Sequence, residues 1–205
     1  MLMRMWGDQK RRYLTDVDLR QAVHAEIVPT LAGNSPTRIL DEMAICAGEA
    51  RVDIAVINGR LHGFEIKSEA DTLARLEQQT AAYNRVFDTM TIVCGENHFA
   101  SVESSVPAWW GIYTAKLSEG KVKLSGLRQS GMNNNVDNFS LAQLLWKSEL
   151  VQLLLGAGIN KGISRKPCRE LWGMVAESYP TCELQSNVRK ILSIRANWRP
   201  DLQQT

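Results

Sequence analysis

The chain has 205 residues, 44% of them hydrophobic and 22% charged, and Lys+Arg 24 against Asp+Glu 22 leave a net charge of +2. This is ordinary globular composition, and a chain of this length buries a core without disulfide or metal staples. No apolar run reaches the ~18 residues that a membrane span needs, and no apolar stretch follows the charged start as a secretory signal would require. The cysteines Cys46, Cys94, Cys168 and Cys182 are scattered, so reduced thiols in a cytoplasmic protein are expected. His24, His62 and His98 show no metal-ligand spacing. Charge is uneven: residues 1–137 hold 15 basic and 17 acidic side chains, residues 138–205 hold 9 and 5. Two parts with different tasks are expected, an α/β unit over 1–137 and a basic helical region over 138–205.

Residues 15–28 read as a helix capped by Asp16 or Thr15, with Leu19, Val23 and Ile27 recurring every four positions. Asn34–Thr37 is a turn, and a short helix is expected from Arg38 to Cys46. The period then changes to two. Val52, Ile54 and Val56 mark a strand, Asn58-Gly59 a hairpin turn, and Leu61–Lys67 the return strand. A helix from Asp71 would carry Leu73, Leu76, Thr80, Tyr83 and Phe87 on one side. Met90–Cys94 is a compact apolar strand, and His98–Ser105 a short helix. Trp109–Ala115 and Lys121–Leu124 are two strands joined around Ser118-Glu-Gly120. The polar run Gly131–Asp137 is a boundary. Beyond it three helices are expected: one through Leu141–Leu155, one over Lys166–Tyr179 and one over Glu183–Asn197.

The chemistry concentrates in the hairpin. A two-residue turn would pair Asp53 with Phe64 and mix polar with apolar on each face. A three-residue turn (Asn58, Gly59, Arg60) pairs Asp53 with Glu65 and Ile54 with Phe64, which segregates the faces. Two ionised carboxylates side by side repel, so folding alone would not select them. A hard divalent cation, Mg²⁺ with Mn²⁺ as substitute, removes the conflict. Lys67 shares the face of Glu65, because alternate side chains point the same way along a strand.

Asp53 followed by Glu65-Ile66-Lys67 resembles the core of the PD-(D/E)XK nuclease superfamily, with Val52 in place of the family's proline. Gln79-Thr-Ala-Ala-Tyr83 is similar to the Gln-x-x-x-Tyr pattern of its RecB-like branch. The run from Glu65 to Tyr83 also resembles a little-characterised group of small stand-alone bacterial members. The resemblance implies a restriction-endonuclease-like fold, a mixed central sheet flanked by helices, and a further acid from the preceding helix. Glu42 is favoured for that acid, as it sits among apolar residues, over Glu49.

The resemblance implies a Mg²⁺-dependent deoxyribonuclease, endo- or exonucleolytic. Glu42, Asp53, Glu65 and the Ile66 carbonyl would hold the metal. Lys67 would assist the attacking water, and Gln79 and Tyr83 would orient the site. The expected partner is DNA, single-stranded or structured forms included, and a homodimer is left open. Phosphate contacts would come from Lys161, Arg165, Lys166 and Arg169. Arg189, Lys190, Arg195 and Arg199 would form another basic face. Trp110 and Trp198 are candidates for base stacking, as are Trp109, Trp146 and Trp172, for which a core role is the default. Lys10–Arg12 reads as an arm. The competing readings are a non-catalytic nucleic-acid-binding or scaffold protein on the same fold, and an RNA- or structure-specific nuclease in repair or defence.

Overall fold

A computed structural model describes residues 13–31 and 37–196. The Lys10–Arg12 arm, most of the Asn34–Thr37 turn, Trp198 and Arg199 lie outside them. The described chain is α/β: a six-stranded mixed sheet flanked by helices. Its strands lie in sequence order, β1 (Arg38–Ile45), β2 (Ala50–Ile57), β3 (Leu61–Lys67), β4 (Thr89–Gly95), β5 (Gly111–Ser118) and β6 (Lys121–Arg128). β1–β2, β2–β3 and β5–β6 are antiparallel, while β3–β4 and β4–β5 are parallel. The parallel pairs need crossovers. These carry α3 (Leu76–Tyr83) and α4 (Phe99–Ser105).

One face of the sheet is covered by the first helical segment. It comprises α1 (Asp16–Ala22), a π-helical turn over Val23–Ile27 and α2 (Val28–Leu31). Thr15 caps α1 by accepting from the Asp18 N–H, and Asp18 accepts back from the Thr15 N–H. Leu19, Val23 and Ile27 all pack on Ile54, Val56, Phe64 and Ile66. A four-residue period drifts on a 3.6-residue helix. The wider turn, closed by Val28 N–H to the Val23 carbonyl, offsets that drift and keeps the apolar stripe on the sheet.

The opposite face joins Ala55, Ile57, Leu61, Met90 and Ile92 to Tyr83 and Phe87 and to the C-terminal helices in one apolar cluster. Those helices are α5 (Asn138–Ala142), α6 (Lys147–Gly156), α7 (Cys168–Ser178) and α8 (Thr181–Ile194). The single helix expected through Leu141–Leu155 is broken at Trp146, whose backbone is extended and whose N–H is held by Glu149 Oε2 at 2.7 Å. α7 begins at Cys168, after Pro167, because the residue before a proline is kept out of the helical region.

Two turns follow their residues closely. Ile57 pairs with Leu61 across the three-residue Asn58–Arg60 turn, with Gly59 at φ +88°. Ser118 pairs with Lys121 across Glu119 (φ +51°) and Gly120 (φ +77°), the doubly left-handed two-residue turn that suits twisted strands.

The helix expected over Arg38–Cys46 is corrected to the strand β1. Leu40 and Met43, three apart, both enter the same apolar cluster. That spacing imitates a helix. Here it arises because Glu42 takes a left-handed φ of +54°, which inverts the pleat and turns both side chains inward. The helix expected from Asp71 starts only at Leu76. Asp71 instead accepts from the Ser68 N–H at 2.6 Å in the preceding turn.

One buried acid ties the C-terminal helices to the sheet. Asp88, 1% exposed, accepts from the Leu61 N–H at 2.7 Å, from Arg189 Nη1 at 2.8 Å and from Gln185 Nε2 at 2.8 Å. Asp88→Ala leaves the Leu61 donor and a half-buried guanidinium without this partner. It should lower the unfolding free energy by about 3 kcal/mol, read from urea denaturation midpoints.

Candidate functional site

β1, β2 and β3 present their polar residues at one end of the sheet, where α1 and α3 close over them. The β2–β3 ladder ends with Ile54 opposite Phe64, and just beyond it the Asp53 side chain reaches the Ile66 N–H of β3, next to Glu65. The β1–β2 register, with Asp41 opposite Ile54 and Met43 opposite Val52, places Glu42 across from Asp53. A cavity of about 490 Å³ opens there. Its walls carry the carboxylates of Asp16, Glu42, Glu49, Asp53, Glu65 and Asp71, against the cations of Arg51, Lys67 and Arg75.

Asp53 divides its oxygens. Oδ2 accepts from the Ile66 N–H at 2.7 Å, and Oδ1 accepts from Arg20 Nη2 at 3.0 Å. Arg20, on α1, also donates to the Asp53 carbonyl at 2.7 Å, to Glu42 Oε1 at 2.6 Å and to Asp16 Oδ2 at 3.4 Å. Burial and then the neighbouring Glu65 charge push the Asp53 carboxyl up to about 7, against the opposing pull of Ile66 N–H and Arg20.

Glu65 is 1% exposed and is enclosed by donors. Lys67 Nζ lies 2.7 Å and Gln79 Nε2 2.6 Å from Oε1. Tyr83 OH lies 2.6 Å from Oε2 and 2.7 Å from the Arg51 carbonyl. One hydroxyl proton serves one of those two acceptors at a time. Burial and the Glu65 charge raise the Tyr83 pKa far above the usual phenol range. Lys67 Nζ also donates to Gln79 Oε1 at 2.9 Å. Gln79 and Tyr83, one turn apart on α3, therefore grip Glu65 and Lys67 together.

Asp53, Glu65, Ile66, Lys67, Gln79, Tyr83 and Glu42 are thus brought to one place. Glu42 arrives from a strand rather than the expected helix, and Arg20 holds its carboxylate. Glu49 lines the same cavity but is paired with Arg85. Sequence reasoning missed Asp16 and Arg20. The signal was there: Asp16, Arg20 and His24 form a polar i, i+4 stripe beside the Leu19–Val23–Ile27 stripe, and His24 reaches Asp41 at 2.8 Å.

The basic residues of the tail behave differently. Lys161, Arg165, Lys166 and Arg169 lie between α6 and the start of α7, and none lines the cavity. Lys166 pairs with Glu170 at 2.6 Å. Arg189 and Arg195 do not form a basic face. The first is bound to Asp88, and the second is buried on Glu149 and over the Trp146 ring at 4.6 Å. Trp110 is buried and donates to Asn84 at 2.9 Å. It is not a stacking platform.

Among the described residues no group of three or more His, Cys, Asp or Glu side chains converges as a metal cluster. The donors nevertheless suit a hard divalent cation. Two oxygen ligands, Asp53 and Glu65, and the Ile66 backbone face a polar cavity with room for waters, and Mg²⁺ keeps several of its own. Arg20 pairs with Asp16, Glu42 and Asp53 and Arg85 with Glu49, so with Arg51, Lys67 and Arg75 five cations meet the six carboxylates of the wall.

A family model for bacteriophage P4 protein cII matches residues 16–201. The chain belongs to the bacteriophage P4 protein cII family. A curated relative, protein cII of Enterobacteria phage P4, is 31% identical over 126 residues, 62% of this chain and 48% of the relative. The chain thus spans about half the length of the curated relative it matches. No solved structure matches. Membership of the cII family overturns the metal-dependent nuclease function expected from the Asp53…Glu65-x-Lys67 pattern, and with it the hydrolase and endonuclease description. The family and the relative are a phage protein cII, not a nuclease. No helix among the described residues is long and apolar enough to cross a membrane.

The raised Asp53 carboxyl has a consequence for stability. Between about pH 4, where an unfolded Asp titrates, and about pH 7, the folded chain binds more protons than the unfolded one. This group's contribution is therefore fully present below about pH 4 and is lost as pH rises through about 7. In the metal-free protein, unfolding free energy should fall across that window, and Asp53→Asn should flatten the fall by up to about 4 kcal/mol. Urea titrations of both proteins at a series of pH values measure it.

Proposed function

We propose that this cII-family chain is a non-catalytic DNA-binding protein built on a PD-(D/E)XK-type, restriction-endonuclease-like core, and that a divalent cation at its acidic cavity grips the phosphate backbone. The observation that carries the reading is the pair of acids on adjacent strands: Asp53 and Glu65 line one polar cavity of about 490 Å³ together with Ile66. A phosphodiester is repelled by such a surface and is accepted once a doubly charged ion stands between them.

The order of elements supports the scaffold. A helix precedes a three-strand antiparallel meander, which leads through a helix to a parallel fourth strand. Asp53 sits on the second strand of the meander and Glu65-x-Lys67 on the third. Asp53 Oδ1, a Glu65 oxygen and the Ile66 carbonyl would hold Mg²⁺, which would supply the positive charge facing a phosphate oxygen. Gln79 and Tyr83 keep Glu65 oriented for that contact.

Lys67 supports binding without turnover. The residue is 7% exposed, and its ammonium is engaged by Glu65 and Gln79 at 2.7 and 2.9 Å. It neutralises Glu65 and is committed to that pair. The exposed cations of the α6–α7 segment, Lys161, Arg165 and Arg169, would add sequence-independent phosphate contacts further along the strand.

Fluorescence anisotropy with labelled single- and double-stranded DNA tests the proposal. Mg²⁺ should tighten binding roughly tenfold over EDTA, about 1.4 kcal/mol. Asp53→Ala should remove the difference, and the DNA should be recovered intact. Equal affinity with and without the cation would overturn the role of the cavity. Mg²⁺-dependent strand scission, lost in Lys67→Ala, would overturn the non-catalytic reading.

A further inference from the structure

We propose that Arg20 is an internal counter-cation of this cavity, a tethered positive charge that holds the Asp53 oxygen a divalent cation takes, and yields it when one binds. The inference rests on the reading of the cavity as a cation site. It adds the device that controls loading.

The argument starts from the two oxygens of Asp53. Oδ2 is fixed by the Ile66 N–H at 2.7 Å. That donor belongs to the backbone of β3 and cannot leave without disturbing the strand. Oδ1 is therefore the oxygen open to an ion, and it is the one on which Arg20 Nη2 rests, at 3.0 Å. A side-chain donor can move where a backbone donor cannot.

Arg20 keeps its hold when it moves. Its contacts to Glu42 Oε1 (2.6 Å) and to the Asp53 carbonyl (2.7 Å) are shorter than the one to Oδ1, and Asp16 Oδ2 lies 3.4 Å from Nε. Leaving Oδ1 sacrifices one contact and retains the rest. A guanidinium cannot step aside by losing a proton. Its charge therefore stays beside these acids whether or not an ion enters.

Two consequences follow from charge alone. An arriving ion replaces a single positive charge at Oδ1, so a divalent ion gains where a monovalent one only exchanges. The Arg20 charge left beside it lowers affinity below that of the bare acids, so the site loads late and reversibly. Once displaced, the guanidinium lies next to the loaded position with a planar fork suited to a phosphate oxygen pair. Cation loading would then present two positive groups to the backbone together.

The test is equilibrium Mn²⁺ binding, with free Mn²⁺ read by its electron paramagnetic resonance signal, in the wild-type chain and in Arg20→Gln and Asp53→Asn. Removing a competing unit charge from a ligand oxygen should make Arg20→Gln bind Mn²⁺ roughly tenfold more tightly, while Asp53→Asn should lose binding. Unchanged or weakened affinity in Arg20→Gln, with wild-type binding intact, overturns the counter-cation and leaves the cation site standing. No Mn²⁺ uptake by either protein overturns both.

A second measurement needs no variant, should Arg20→Gln fail to fold. In a Mg²⁺ titration of the wild-type chain followed by NMR, the Arg20 Nε–H signal should move together with the Ile66 amide. An Ile66 amide that shifts while Arg20 stays still overturns the proposal.

Discussion

The cavity depends on a desolvated carboxylate at Asp53 with a second acid, Glu65, across the ladder. Charges leave water only when donors or opposite charges meet them. The chain answers with elements drawn from three directions. The Ile66 N–H of β3 takes one oxygen of Asp53, and Arg20 of α1 takes the other. Lys67, Gln79 and Tyr83 surround Glu65. The helix on one face of the sheet and the helix on the other are thus both fastened to the same pair of acids. Burial and the neighbouring Glu65 charge still push the Asp53 carboxyl well above the usual carboxylate range, against the pull of these donors.

The strain in β1 belongs to the same arrangement. Glu42 occupies a left-handed φ that non-glycine residues rarely adopt. The result is a carboxylate aimed at Arg20 from a strand whose flanking residues, Leu40 and Met43, remain in the core. Backbone strain of this kind persists where the surroundings over-determine it. Here the ladder to β2 on both sides of Glu42 and the guanidinium in front of it supply the constraint.

The family assignment and the site chemistry pull apart in an instructive way. A short constellation of Asp, Glu, Lys, Gln and Tyr says which groups share a cavity and which ion they could tolerate. It does not say whether a bond is broken there, because one scaffold carries many activities. The match to protein cII over residues 16–201 turns the reading away from hydrolysis. In the proposed binding role the same residues would act as a charge arrangement, with Lys67 held by Glu65 and Gln79.

The sequence by itself determined the local pairings. Alternation along Val52–Ile57 and Leu61–Lys67 forced the three-residue turn and therefore the juxtaposition of Asp53 and Glu65. A four-residue step put Gln79 and Tyr83 on one face of α3. These are short-range consequences of strand and helix periods, and they survive without knowledge of the rest. Only the tertiary structure decided what stands around them. It made Arg38–Ile45 a strand, because a single left-handed residue disguised its period as helical and the ladder to β2 outweighed that hint. It brought Arg20 and Asp16 more than twenty residues along the chain to the acids, a juxtaposition that only packing α1 across the sheet creates. It also committed Arg189 to the buried Asp88 and Arg195 to the half-buried Glu149, since a positive charge reads the same in sequence whether its partner is solvent, a phosphate or a carboxylate far along the chain.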